Sequence, residues 1–179
     1  MTQIAATYAQ ALYDLAKDEN LTEEILAQLQ ALQEGFSAEP DFLRLLSTPG
    51  LSKEERCGIV DASFREKVHT YVLSFLKILV EKGYVRHFAD CCKAYKTLYN
   101  EDHGILPVLA VTAVALSDAQ VQRLTAKLEQ ITGKTVELEN RVDATVLGGV
   151  RLDYDGKRVD GTVQNRLDTI AGLLKNTVL

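Results

Sequence analysis

The feature that most limits how this chain can fold is a change of hydrophobic periodicity near residue 104 of its 179 residues. Before that point, apolar residues recur at the three- and four-residue spacing of a helix face, first at Ile4, Tyr8, Leu12 and Leu15. After Gly104, the segment ILPVLAVTAVAL is rich in β-branched residues and is typical of a buried strand. A helical block followed by a mixed block predicts two domains, residues 1–104 and 105–179.

Six helices are predicted in the first block. Ser52 followed three residues later by Glu55 is a capping box, which opens the fourth helix. The fifth helix, within VHTYVLSFLKILVEKG, is apolar on nearly every side and ends at Gly83. Such a helix belongs at the centre of its neighbours. The N-terminal domain is therefore predicted to be an all-α six-helix bundle.

The second block predicts a small α/β domain. Ser117 and Gln120 form a second capping box at the start of a helix that ends at Gly133. The segment TVELENRV is predicted to form a second strand. The Gly-Lys-Thr at residues 133–135 does not predict a phosphate-binding loop. It lacks the required glycine at position 128, and its setting is helix, loop and strand rather than strand, loop and helix.

The stretch GGVRLDYDGKRVDGTVQNRL predicts a β-hairpin followed by a terminal helix. Asp155-Gly156 is a strong two-residue turn signal, and it pairs Asp153 with Arg158 and Arg151 with Asp160 across the strands. The aspartates are therefore interpreted as turn and strand residues rather than catalytic acids. Bulge, turn, strand-end and helix-cap roles are assigned to Gly148, Gly149, Asp155, Gly156, Asp160, Gly161 and Thr162.

Composition excludes several classes of function. A net charge of −5 and a pI near 5.3 argue against nucleic-acid binding, and no apolar run is long enough to span a bilayer. The N-terminal residues lack the features of a signal or transit peptide, so we expect a protein that starts in the cytosol. His87 and Cys91 share a helical i, i+4 spacing, but no second pair accompanies them. We expect no metal, no cofactor and no catalytic residue.

The segment LGGVRLDYDGKRVDGTVQNRLDTIAGLL resembles the C-terminal signature of the delta subunit of the F-type ATP synthase, whose mitochondrial counterpart is the oligomycin-sensitivity-conferring protein. YAQALYDLA is similar to the first helix of that family, and GILPVLAVTAVALSDAQ to its domain junction. The resemblance runs along essentially the whole chain in the right order. Three places depart from the family pattern: Thr162 for serine, Gln164-Asn165 for Arg-Gly, and Lys82 with Tyr84 at the end of the fifth helix.

The resemblance implies a non-catalytic stator subunit of a bacterial proton-translocating ATP synthase. In that family the helical domain receives the N-terminal helices of alpha subunits, and the C-terminal domain meets the tail of subunit b. It also implies a peripheral protein on the cytoplasmic face of the plasma membrane, which meets the membrane through the complex and is not a homo-oligomer. The alternatives are a helical adaptor of another complex and a small α/β enzyme, which would need a polar pocket.

By the same resemblance, the first and fifth helices form the groove for an alpha-subunit helix. The residues predicted to line it are Tyr8, Ala11, Leu12, Leu15, Leu76 and Leu79. The alternative interpretation is that these side chains fill the bundle core, because a helical stripe of apolar residues usually packs inward.

Overall fold

The computed structural model describes residues 3–48, 50–146 and 148–161. Within these ranges, a helical N-terminal part precedes a small α/β part, as the sequence predicts. The chain separates into two compact units between Tyr99 and Asn100, five residues before the predicted boundary. Separate folding of residues 1–104 and 105–179 stays a prediction. The predicted terminal helix, with Thr162 as its cap, lies outside the described residues.

The helical part consists of six α-helices and one 3-10 turn in the residues described. In chain order they are α1 (Gln3–Asp18), α2 (Thr22–Ala38), α3 (Pro40–Leu46), α4 (Lys53–Phe64), α5 (Thr70–Lys82), the 3-10 turn (Val85–His87) and α6 (Phe88–Asp102). Two predicted helix ends are confirmed. Ser52 and Glu55 exchange both capping-box hydrogen bonds at the start of α4, and Gly83 ends α5 with the positive φ (76°) that glycine adopts without strain.

One hydrophobic core joins these helices. Phe36 of α2 contacts other phenylalanine rings within it, with its ring centroid 5.1 Å from that of Phe88 and 5.7 Å from that of Phe42. Helix α5 buries six apolar side chains, as expected for a helix that is apolar on nearly every side. Helix α1 faces the core largely with alanines, and small side chains let it lie close to its neighbours.

The α/β part contains one helix and a four-stranded sheet in the described residues. Its elements are β1 (Ile105–Thr112), α7 (Asp118–Thr132), β2 (Thr135–Val142), β3 (Val150–Tyr154) and β4 (Lys157–Asp160). The strand order is β2-β1-β3-β4, with β1 parallel to β2 and antiparallel to β3. The capping box of Ser117 and Gln120 and the closing Gly133 are both present on α7, so these predictions are confirmed. The Gly-Lys-Thr segment joins a helix to a following strand, in the order that the sequence predicts.

Candidate functional site

Helix α1 carries two apolar faces. The first packs into the core and consists of Ala5, Ala9, Leu12, Tyr13 and Ala16. The second consists of Ile4, Tyr8, Ala11 and Leu15, whose spacing of four, three and four residues keeps them in one row. At about 100° per residue, the centres of the two faces are roughly 110° apart around the helix. The second face is incompletely covered: Ile4 and Tyr8 are half-buried, and Ala11 and Leu15 are exposed.

Helix α5 lies against α1 and also presents an outward apolar residue. Ile78 is 42% exposed although the other apolar aliphatic side chains of α5 are buried, and Tyr71, two turns earlier, is half-buried. At the other end of α5, the ring of Tyr84 approaches that of Tyr8 of α1, with 6.0 Å between centroids. We use the name docking surface for the second face of α1 together with Tyr71 and Ile78 on the outward side of the neighbouring helix α5, and its role is proposed below.

The structure divides the six predicted groove residues into two sets. Leu12, Leu76 and Leu79 are between 0% and 5% exposed and belong to the core. For these three side chains, the burial in the structure agrees with the alternative interpretation that they fill the bundle core. Tyr8, Ala11 and Leu15 belong to the docking surface.

Two residues of the docking surface, Tyr71 and Ile78, are not among the groove residues that the sequence predicts. The sequence does hold a signal for them. The polar residues Ser74, Glu81 and Lys82 mark the outward side of α5, and Ile78 falls between them on the same side.

An ion pair connects α5 to α4 on a different side of α5. Lys77 Nζ lies 2.6 Å from Asp61 Oδ2, and Arg65, the residue that follows α4, is 3.6 Å from the same oxygen. The hydrogen bond from Lys77 holds the pKa of the Asp61 carboxyl below its ordinary value. The ion pair of Lys77 and Asp61 therefore holds one side of α5 against α4, and Ile78 lies on a different side of α5.

The cysteines Cys91 and Cys92 are placed as inert thiols. Burial raises the pKa of Cys91 to about 11 and that of Cys92 to about 12, so both remain protonated at neutral pH. Cys92 Sγ donates to the Leu29 carbonyl at 3.7 Å, in the floor of an open groove between α2 and α6. His87 and Cys91 are not part of a metal-ligating group, and no such group occurs among the described residues.

The hairpin has the predicted register. Arg151 pairs with Asp160 and Asp153 with Arg158, and the turn residues Asp155 and Gly156 both have positive φ (47° and 67°), which defines a type I′ turn. Arg158 Nε lies 2.7 Å from Asp153 Oδ1, and this hydrogen bond lowers the pKa of Asp153.

The flanking glycines close the hairpin. The N–H of Gly161 donates to the Val150 carbonyl at 3.1 Å, and a Cβ on Gly161 would lie only 3.2 Å from that oxygen. Gly148 and Gly149 have φ values of 151° and 86°, which glycine tolerates best. These residues shape the sheet edge, so the structure supports a folding role for this stretch.

Comparisons with known proteins agree along the whole chain. The family model described as ATP synthase delta (OSCP) subunit matches residues 4–174. ATP synthase subunit delta of Clostridioides difficile strain 630 is 33% identical over 176 residues, covering 98% of this chain and 97% of the relative. The protein of the same name from Alkaliphilus oremlandii strain OhILAs is 32% identical over 167 residues, 93% of each.

A solved structure is similar in fold. One chain of the Toxoplasma gondii mitochondrial ATP synthase hexamer superposes with a TM-score of 0.77 at 20% identity, covering 97% of this chain and 98% of that one. At this identity the likeness concerns the fold alone. In the described ranges, no helix combines the length and apolar character that crossing a bilayer requires.

Proposed function

The chain belongs to the ATP synthase delta (OSCP) subunit family, and from this premise we propose that its docking surface receives the N-terminal helix of an alpha subunit. A delta (OSCP) subunit is a non-catalytic component of the peripheral stalk of the F-type ATP synthase, and it works by joining other subunits of that complex. An adaptor of an unrelated complex is excluded, because the family match spans residues 4–174. What remains to be assigned is which surface meets which subunit.

The second apolar face of α1 is the observation that carries the proposal. A helix that only fills a core needs one apolar stripe, whereas α1 has a second row in which Leu15 is 41% exposed. A row of apolar residues at helical spacing beside another helix matches the recognition of an amphipathic helix in a groove. A stator subunit must resist torque, and this mode of binding supplies an extended apolar interface rather than a few polar contacts.

The remaining assignments follow from the same family membership. We infer that the six helices act as one bundle, that the α/β part binds the tail of subunit b, and that the protein lies at the cytoplasmic face of the bacterial plasma membrane. Its attachment to the membrane is through the complex, and its partners are other subunits rather than a second copy of itself.

Substitution of Ala11 by tryptophan tests the docking surface. Ala11 is exposed, so a large ring there fits without entering the core but obstructs an incoming helix. We expect the Kd for a peptide of the alpha N-terminus from the same complex to rise at least about tenfold, equivalent to ~1.4 kcal/mol. Calorimetry measures the Kd, and the helical circular dichroism signal and the melting temperature should stay unchanged.

Ala6→Trp is the matched control. Ala6 is also an exposed alanine of α1, but it lies five residues away, which is about 140° around the helix. We expect this variant to bind the peptide as the wild type does. Equal binding of the peptide by the Ala11→Trp and Ala6→Trp variants would show that the docking site does not include this row of α1. Loss of the helical signal in Ala11→Trp would instead assign Ala11 to the core.

A further inference from the structure

His69 caps the first turn of α5 with its side chain. Its backbone is extended (φ −61°, ψ 147°), and its Nδ1 accepts a hydrogen bond from the Tyr71 N–H at 3.3 Å. The Tyr71 ring lies edge-on to the imidazole, with centroids 4.7 Å apart. On its other side, the His69 N–H donates to Gln28 Oε1 of α2 at 2.6 Å. A free N–H of the helix end is thus satisfied by a ring nitrogen that accepts only while it carries no proton.

Protonation of His69 has two unfavourable consequences for the folded helix. Both nitrogens of an imidazolium are donors, so the hydrogen bond from the Tyr71 N–H is lost. The added positive charge also lies at the helix end where the aligned peptide dipoles already amount to roughly +0.5 charge.

The surroundings offer little to compensate that charge. The first turn of α5 contains no acidic residue. The groups that lie directly against His69 are the uncharged amide of Gln28 and the phenol ring of Tyr71. The Glu24 carboxylate of α2 accepts a hydrogen bond from the Gln28 side-chain amide at 3.0 Å, and it is connected to His69 through that amide. The preceding loop contributes three charged residues, Arg65, Glu66 and Lys67, of which two are cations.

We propose that His69 is a pH-sensitive cap, which releases the first turn of α5 as the pH falls below neutrality. The direction follows from the hydrogen bond: a protonated ring nitrogen cannot accept from the Tyr71 N–H, so acid favours the uncapped form. Tyr71 lies in this turn and is part of the docking surface, so acid should also weaken docking. That last consequence rests on the proposed function, whereas the release of the turn does not.

Amide hydrogen exchange of the full chain, followed by NMR at pH 7.5 and 5.5, tests the cap. After correction for the intrinsic exchange rate, we expect the protection factor of the Tyr71 amide to fall about fivefold at the lower pH in the wild type. His69→Asn supplies a cap acceptor that does not titrate, so its Tyr71 protection should be the same at both pH values. A pH-independent protection factor in the wild type overturns the proposal without any variant.

His87→Asn is the control for histidine titration in general. His87 Nδ1 lies 3.8 Å from Asp90 Oδ2, so its protonation strengthens an ion pair and does not remove a cap. This variant should keep the wild-type response of Tyr71 to pH, and a loss of that response would assign the effect to His87 and overturn the proposal. Binding of the alpha peptide, measured separately at pH 7.5, bears on the proposed function alone.

Discussion

At the scale of single residues, the pair of Asp61 and Lys77 shows how one charge is held inside a helix contact. Lys77 lies on α5, a helix otherwise rich in buried apolar groups, and its ammonium reaches Asp61 Oδ2 of α4 at 2.6 Å. The other oxygen, Oδ1, is buried and has no hydrogen-bond partner among the described residues. The carboxylate therefore depends strongly on Lys77, because a buried acceptor without a partner is costly.

Removal of Lys77 should accordingly destabilise the protein in a pH-dependent way. Lys77→Met is expected to lower the urea midpoint of the N-terminal unit at pH 7, since Asp61 then keeps only Arg65 at 3.6 Å. The pKa of Asp61 is lower in the folded protein than its ordinary 3.8, so the stabilisation is fully present above pH 3.8 and is lost as the pH falls through the folded value. The difference between wild type and variant should thus shrink in acid, as urea titrations at pH 7 and pH 3 can measure.

Lys82→Met is the control for this change, because Lys82 is an exposed lysine on the same helix. It should leave the urea midpoint nearly unchanged at both pH values, as surface charges contribute little. A difference between Lys77→Met and wild type that stays constant from pH 7 to pH 3 would show that Asp61 is not the group responsible.

At the scale of elements, the type I′ turn depends on Gly156. Its φ of 67° is in the left-handed region, where a Cβ costs about 1–2 kcal/mol although nothing lies within 4 Å of it. Gly156→Ala should therefore lower the free energy of unfolding of the α/β unit by about 1 kcal/mol. Gly156→Asn should cost less, because asparagine tolerates this conformation better. Denaturant unfolding followed through the NMR amide signals of residues in this unit measures both.

The same substitution should have the opposite sign in a helix. Gly35 lies within α2, and no atom lies within 4 Å of the position that an added methyl group would occupy. Gly35→Ala should raise stability by about 0.4–1 kcal/mol, because alanine reduces the freedom of the unfolded chain. If Gly156→Ala were neutral or stabilising, as Gly35→Ala is expected to be, the backbone argument for Gly156 would be wrong.

What the sequence can predict at this scale depends on how local the signal is. The capping boxes at Ser52 and Ser117 and the Asp155-Gly156 turn are set by residues a few positions apart, and the sequence predicts all three correctly. The His69 cap is missed because histidine is not among the preferred capping residues. The split of α1 into two faces is also missed. Alanine and leucine both count as apolar in a periodicity, and only the neighbouring helices decide which row turns inward.

At the scale of the whole molecule, the buried core of the helical part shows which residues a separately folding helical fragment must contain. Its buried residues, among those described, lie between Ala5 and Tyr95, and α6 ends at Asp102. The next residues are a turn with Gly104 at φ 62°, followed by β1. A fragment of residues 1–104 therefore keeps the buried side chains of the helical core and the complete α6.

This fragment should fold by itself and divide the two proposed partners. Residues 1–104 are expected to show cooperative thermal unfolding and to bind the alpha N-terminal peptide with the affinity of the full chain, but not to bind the tail of subunit b. The control is residues 1–87, which lacks α6 and with it the buried Phe88, Cys91, Cys92 and Tyr95, and it should not unfold cooperatively. Calorimetry and circular dichroism measure these outcomes.

A fragment 1–104 without a cooperative transition would show that the helical part needs the α/β part to fold. A folded fragment that binds the subunit b tail would show that the partners are not divided between the two units.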